Sequence, residues 1–474
     1  VAVKHVVTTS ITEGRDTVGW LSRLLGAADE AAKPQVAASE EKAGPAAVVD
    51  ARPVPSVDVP PGMSAQTAGV LVWEAVVGDK SQPLGYRFFL SEAASLRVRG
   101  GARVRQFLDA MLVSHVATIS PAWRSHRQIF LRLDADALDP VALATLGGDG
   151  VHLILDSDAR GEPASDACIA AVTQLRAAGF RVWLLACDSA PWLASLAPQA
   201  SGFAISLGGQ SVDGMEQFVA GLKTTYPGVP WCALDVPTVD DLALPHRLGC
   251  AAITGPFVSE RAPNLGGRFS PNGLRVASLL SKLRQGAEIR EMAGVLKQDV
   301  ALSYRLLRYV NAAAWGLVNP ISSIEQAMLM LGRRPLYRWL MLLLLAGAPK
   351  GTLSEVRGEA TLVRARFMEL LGASLSVPQR DELFVLGMLS LLDTVLQVPA
   401  TRVLDTLPMS DTIRAALAGT EADNPYGPYL VLARAWDSGD TAAIHAACER
   451  IGLTPEDAGR LHLQAFDWVL ENGK

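Results

Sequence analysis

Between residues 68 and 258 short apolar runs alternate with segments whose apolar positions recur every three to four residues. The runs are VLVWEAVV (70–77), GYRFFL (85–90), IFLRL (129–133), VHLILD (151–156), RVWLLAC (181–187), FAISLG (203–208), PWCALDV (230–236) and CAAITGPFV (250–258). Their length and their β-branched and aromatic content predict strands. FLDAMLVSHVATI (107–119), DACIAAVTQLRAAG (166–179) and MEQFVAGLKTTY (215–226) carry the helical period. Strands alternating with helices imply parallel βα units. The first two runs are an exception, because the GDKSQPL between them is turn-rich and too short for a crossover. They should pair antiparallel. Several runs are apolar on both faces, as strands enclosed between a core and a ring of helices are. A TIM-like (β/α) barrel with an antiparallel first hairpin accounts for the whole set.

After Glu260 the pattern is helical throughout. Ser270-Pro271 reads as an N-cap with proline at the first helical position. SSIE (322–325) reads as a capping box, opening a helix with Ile324, Ala327, Met328 and Leu331 on one face. Thr454-Pro455-Glu456-Asp457 opens another, and Gly332 and Pro335 punctuate the chain ahead of LYRWLMLLLLAGA. Residues 1–66 lack any sustained period and are rich in Ala, Pro and small polar residues, as a disordered tail is. Within them VGWLSRLLG (18–26) would place Trp20, Leu21, Leu24 and Leu25 on one helical face. It reads as a marginal helix docking on its own protein, or as a tag for a partner or membrane surface. The expected organisation is a tail over 1–66, a barrel over 67–262 and an all-helical bundle over 263–474.

Composition narrows this picture. Charged residues are 19% of the 474 and the net charge is −5, so no general basic field recruits nucleic acid. WLMLLLLAGA (339–348) is too short to cross a bilayer and the first residues lack a secretory apolar region, which makes the cytosol the default location. The five cysteines (Cys168, Cys187, Cys232, Cys250, Cys448) form no CxxC pair and read as buried, reduced core residues. The seven histidines are scattered through both halves and read as surface or helix-face residues. RRPLYR (333–338) gathers three arginines, which read as a solvated helix end or as a site for an acidic partner or phosphate. No phosphate-binding GxxxxGK[ST] loop or GxSxG elbow is present.

The stretch DVALSYRLLRYVNAAAWGLVNPISSIEQAMLMLG (299–332), with Asn311, Trp315 and the helix Ser323–Gly332, resembles the HDOD signature. ELFVLGMLSLLDTVL (382–396) and TPEDAGRLHLQAFDWVLE (454–471) fit it too. A barrel followed by such a bundle resembles the bacterial EAL–HDOD family over roughly residues 68–474. That resemblance implies a barrel related to the EAL phosphodiesterases, which hydrolyse cyclic di-GMP with two divalent metals in a cage of carboxylates at the strands' C-terminal ends.

Several positions depart from the EAL pattern. The Glu-Ala-Leu falls on Arg87-Phe88-Phe89, and the gripping arginine that follows falls on Ser91. The asparagine ligand falls on Arg132. The next glutamate falls on Ile154 or Asp156. The Asp-Asp pair falls on Leu185-Ala186, with Asp188 nearby, and the sixth-strand lysine is absent. The seventh-strand glutamates fall near Leu234 and Pro237, with Asp235 between, and the glutamine falls on Thr254. Asp156, Asp188 and Asp235 beside Arg87 and Arg132 should form an ion-paired rim. HDOD domains also resemble HD phosphohydrolases, but no His-Asp pair is present, and Ser390 and Leu391 stand where it is expected. The expectation is a non-enzymatic signalling protein acting through protein contacts, with no catalytic, metal-ligating or cofactor-binding residue and no cofactor. The alternative is a cyclic di-GMP receptor without turnover, using Arg87 and Arg132 on phosphates.

Overall fold

The computed structural model describes residues 69–91, 101–119, 127–158, 160–186, 191–208, 211–258, 267–311, 320–347, 353–419 and 424–472. The tail, the VGWLSRLLG motif, Cys187, Asp188 and Trp315 lie outside the described residues.

Eight strands close into a barrel in chain order: β1 (Leu71–Gly78), β2 (Pro83–Leu90), β3 (Gln128–Asp134), β4 (Val151–Asp156), β5 (Arg181–Leu185), β6 (Gly202–Ser206), β7 (Trp231–Leu234) and β8 (Ala252–Thr254). β1 runs antiparallel to both β2 and β8, and every other neighbouring pair is parallel. The crossovers carry α1 (Ala102–Ala117), α2 (Pro140–Ala144), α3 (Asp166–Ala177), α4 (Pro191–Leu196), α5 (Val212–Thr225) and α6 (Ala243–Arg247). The predicted run CAAITGPFV is cut short, with β8 ending at Thr254 and a 3-10 turn over Pro256–Val258. Proline has no N–H for a ladder, and the backbone of Gly255 presses on Val236, where a Cβ would come within 2.1 Å of the carbonyl oxygen.

Inside the barrel, Val76, Phe130, Ile154, Trp183, Leu185, Ala204, Cys232, Leu234 and Ala252 pack into an apolar plug. His152 is buried among them and accepts a hydrogen bond at Nδ1 from Trp183 Nε1 at 2.9 Å. This corrects the reading of the histidines, because His152 and His462 are core residues.

The helical part comprises α7 (Pro271–Arg284), α8 (Ile289–Lys297), α9 (Val300–Val310), α10 (Ile324–Leu331), α11 (Arg333–Ala346), α12 (Leu353–Leu371), α13 (Val377–Leu396), α14 (Ala400–Thr406), α15 (Asp411–Leu417), α16 (Gly427–Ser438), α17 (Thr441–Ile451) and α18 (Pro455–Asn472). Ser270 caps α7 by accepting from the Gly273 N–H, as its sequence implies. The cap of α10 is Ser323, which accepts from Gln326, one residue later than the SSIE reading placed it. Asp299 caps α9. Asn311 then exchanges two hydrogen bonds of 2.7 Å with the backbone of Ile321, which ties the end of α9 to the residues just before α10. Leu340 to Leu345 on α11 are buried in the core, and among the described residues no helix is long and apolar enough to span a membrane.

Two of the RRPLYR arginines make contacts that serve the fold, Arg333 while staying exposed. Arg333 donates to the carbonyls of Leu283, Gly286 and Ala287 at the close of α7. Arg338 pairs bidentately with Glu369 and lies 3.6 Å from the Phe384 ring centroid.

The helices also complete the barrel wall. A hairpin link joins β1 to β2 where a crossover helix would otherwise lie, and the outer face of that hairpin packs on the helical part. Phe466 of α18 contacts the rings of Trp73, Tyr86 and Phe88 at centroid distances of 4.9–5.5 Å. Trp436 donates to the Leu71 carbonyl. Glu359 of α12 accepts from Tyr86 and pairs with Arg127. Arg357, two residues earlier, is buried and donates to the carbonyls of Phe257, Val258 and Thr394.

Candidate functional site at the barrel mouth

Alternation along β2 sends Arg87 inward and its neighbours Tyr86 and Phe88 outward. Because β1 is antiparallel, its early residue Glu74 reaches the same end of the barrel as the C-terminal ends of the parallel strands, directly opposite Arg87. Arg87, only 8% exposed, donates to Asp235 Oδ1 at 2.7 Å and lies 3.5 Å from Glu74 Oε2. Ser206 donates to the other Asp235 oxygen at 2.7 Å, and Thr254 donates to Glu74 at 3.2 Å. On the far side Arg132 donates to Asp156 at 2.5 Å, and Arg160 shares that carboxylate. These residues set carboxylates and guanidinium groups side by side, and next to them Arg105 pairs with Asp134 at the end of β3.

The electrostatics follow from burial and pairing. Burial raises the Glu74 carboxyl above its ordinary value, and the opposing pull of Arg87 does not cancel it. Burial also pushes up Asp235, but there Arg87 and the Ser206 hydroxyl outweigh it and hold the carboxyl below the usual range. Asp156 is held low in the same way by Arg132 and Arg160. Asp235 adopts a left-handed backbone, φ +58°, an unfavourable region for a side-chain-bearing residue. Its two side-chain hydrogen bonds hold it there.

Of the expected rim, the structure brings Arg87, Arg132, Asp156 and Asp235 together, Asp188 lies outside the described residues, and Thr254 joins them through Glu74. Ile154, Leu185 and Leu234 lie below them in the apolar plug. Ser91 is turned away: its hydroxyl accepts from the Val70 N–H and meets Thr441 at 2.8 Å. Glu74 was missed by sequence reasoning. The signal was present, because it is the one charge in VLVWEAVV and a hairpin register can set it opposite Arg87. Ser390, at the HD-like position, is buried; it accepts from Arg364, which also pairs with Asp437, and donates to the Gly387 carbonyl. It belongs to packing.

The donors at the mouth do not suit a pair of divalent cations in this arrangement. Each carboxylate is engaged by a guanidinium group, and among the described residues no three His, Cys, Asp or Glu side chains converge on one point.

Residues 274–398 match the HDOD domain. The chain is 29% identical over 225 residues to the uncharacterised protein YuxH of Bacillus subtilis, covering 46% of this chain and 54% of that one. It thus spans about half the length of that relative. It is 26% identical over 309 residues to the cyclic di-GMP phosphodiesterase CdgJ of Vibrio cholerae, covering 64% of this chain and 70% of that one. A standalone EAL protein from Vibrio cholerae, solved with c-di-GMP bound, superposes with a TM-score of 0.32 at 13% identity, covering 40% of this chain and 91% of that one.

The similarity to a named phosphodiesterase overturns the expectation that this chain is not an enzyme. That expectation came from following ligand positions strand by strand. Such counting does not follow a carboxylate that enters the mouth from the neighbouring strand, as Glu74 does opposite Arg87. A substituted ligand position is therefore not a mouth without carboxylates.

Proposed function

The chain has the EAL–HDOD architecture, and from that premise we propose that it serves cyclic di-GMP signalling. The dinucleotide is engaged at the mouth of the barrel, and the response passes to another protein through the helical half. The observation that carries this reading is the guanidinium pair on Asp156. The side chains of Arg132 and Arg160 are about a third exposed, at 34% and 36%. Guanidinium forks suit phosphate oxygens, and two of them stand side by side on one carboxylate at the mouth. The partner side of the reading is supported by α9, where Val300 and Tyr304 are 82% and 59% exposed, one helical turn apart.

Calorimetry with cyclic di-GMP, with and without Mg²⁺ or Mn²⁺, tests the proposal, and chromatography of the same samples reads turnover. Saturable binding is expected, weakened at least about tenfold by Arg132→Ala, the loss of one charge-assisted contact to a phosphate. Neither heat nor product at micromolar protein would end the reading. For the partner, Tyr304→Glu should leave dinucleotide binding unchanged while abolishing the regulated output in the bacterium.

A further inference from the structure

We propose that β2 is a two-faced strap that couples the charged mouth to the helical half. A change in the pairing of Arg87 then alters the packing of α12 and α18, and a change in that packing alters the mouth. The two faces of this strand are occupied by different parts of the molecule. Inward, Arg87 is held by Asp235 and Glu74. Outward, the adjacent residues Tyr86 and Phe88 meet Phe466, and the Tyr86 hydroxyl donates to Glu359. β1 repeats the arrangement, with Glu74 inward and Trp73 packed on Phe466.

The backbone between these groups is a paired strand, so a rotation or shift that moves Arg87 moves Tyr86 and Phe88 as well. The other side of the mouth is built differently. Asp156 ends β4, which pairs on both sides with parallel barrel strands. α12 is suited to receive the movement. Besides Glu359 it carries Arg357, whose guanidinium joins the backbone just after β8 to the Thr394 carbonyl near the end of α13. Two sites joined by one rigid element influence each other in both directions, since linkage is reciprocal.

The coupling does not depend on which ligand the mouth takes, so it is tested on the unliganded full chain. Hydrogen exchange followed by mass spectrometry would compare wild type with Arg87→Met, Asp235→Asn and Asp156→Asn. In the first two, peptides from 353–371 and 455–470 should exchange at least about fivefold faster, the lower end of typical coupling between sites. Asp156→Asn should leave those peptides at the wild-type rate. The reverse experiment uses Phe466→Leu, which keeps the core apolar. It should raise exchange in 71–78 and 83–90 and leave 181–185 unchanged. If Arg87→Met does not fold, Asp235→Asn and Phe466→Leu carry the test. Exchange changes confined to the mouth in the first set, or to the helices in the reverse set, would overturn the proposal, as would equal effects from Asp156→Asn.

Discussion

Arg87 is a buried cation whose carboxylate partners are Glu74, largely enclosed, and Asp235, whose side chain is 38% exposed. Removing one member of such a group leaves the others desolvated and unpaired, which typically costs about 3–5 kcal/mol. Arg87→Met is therefore expected to lower stability by about that much in urea titrations at pH 7. Adding Glu74→Gln should recover part of the loss, because the carboxyl already raised by burial no longer has to ionise without a partner. A double variant no more stable than Arg87→Met would contradict this account. The lone charge in GYRFFL is visible in the sequence, and so is its partner in VLVWEAVV; the hairpin register that sets the two face to face is not. Histidines show the opposite limit. His152 and His462 fall in no pattern that separates a buried ring from an exposed one, yet burial lowers the pKa of each to about 3. A folded-state value below the unfolded 6.5 means the unfolded chain takes up protons first. The associated stability is complete above pH 6.5 and is lost as pH falls toward 3. At pH 5.5 each ring should cost about 1 kcal/mol relative to pH 7.5. His462→Gln should flatten the fall in urea midpoint across that range, and an unchanged slope would show that His462 titrates normally.

At the scale of elements, periodicity located the strands well where the backbone ladder alone decides their length. β4 occupies the predicted 151–156 without change. Prediction failed where a local chemical detail ends an element, as Pro256 does after β8, or where adjacent serines compete for one cap, as Ser322 and Ser323 do. Helix-on-helix approach was also hidden, because a glycine inside an apolar helix looks like a weakness until its neighbour is known. Gly387 lies within α13 where that helix crosses α12. A Cβ there would sit 2.6 Å from the Ala365 Cα and 3.1 Å from the Arg364 carbonyl oxygen. Both are backbone positions that cannot rotate aside. Gly387→Ala should therefore destabilise the chain by about 1–3 kcal/mol through overpacking, even though alanine is the better helix former. A rise in thermal midpoint on this substitution would show that the two helices have room to separate.

The division into a barrel over 67–262 and a bundle over 263–474 treats each half as owning its core, and the hairpin face bears on that division. Trp73, Tyr86 and Phe88 lie on the barrel side, while Phe466, Trp436 and Glu359 lie on the bundle side. Aromatic side chains bury about 150–250 Å² each. Exposing three of them in full would forfeit about 11–19 kcal/mol as an upper figure, at about 25 cal/mol per Å². Whole domains are stable by only about 5–15 kcal/mol. Residues 67–262 expressed alone should accordingly collect in the insoluble fraction or, if soluble, bind a hydrophobic dye and melt without cooperativity. The same fragment co-expressed with 263–474 should be soluble and co-purify, because the partner surface returns in trans. Trp73→Ser with Phe88→Ser should improve the solubility of the isolated fragment by making the bared face polar, and should weaken its capture by the bundle. A fragment that is monomeric and melts cooperatively without the bundle would mean that the barrel closes on its own resources, and that the aromatic seam is an interface between finished domains.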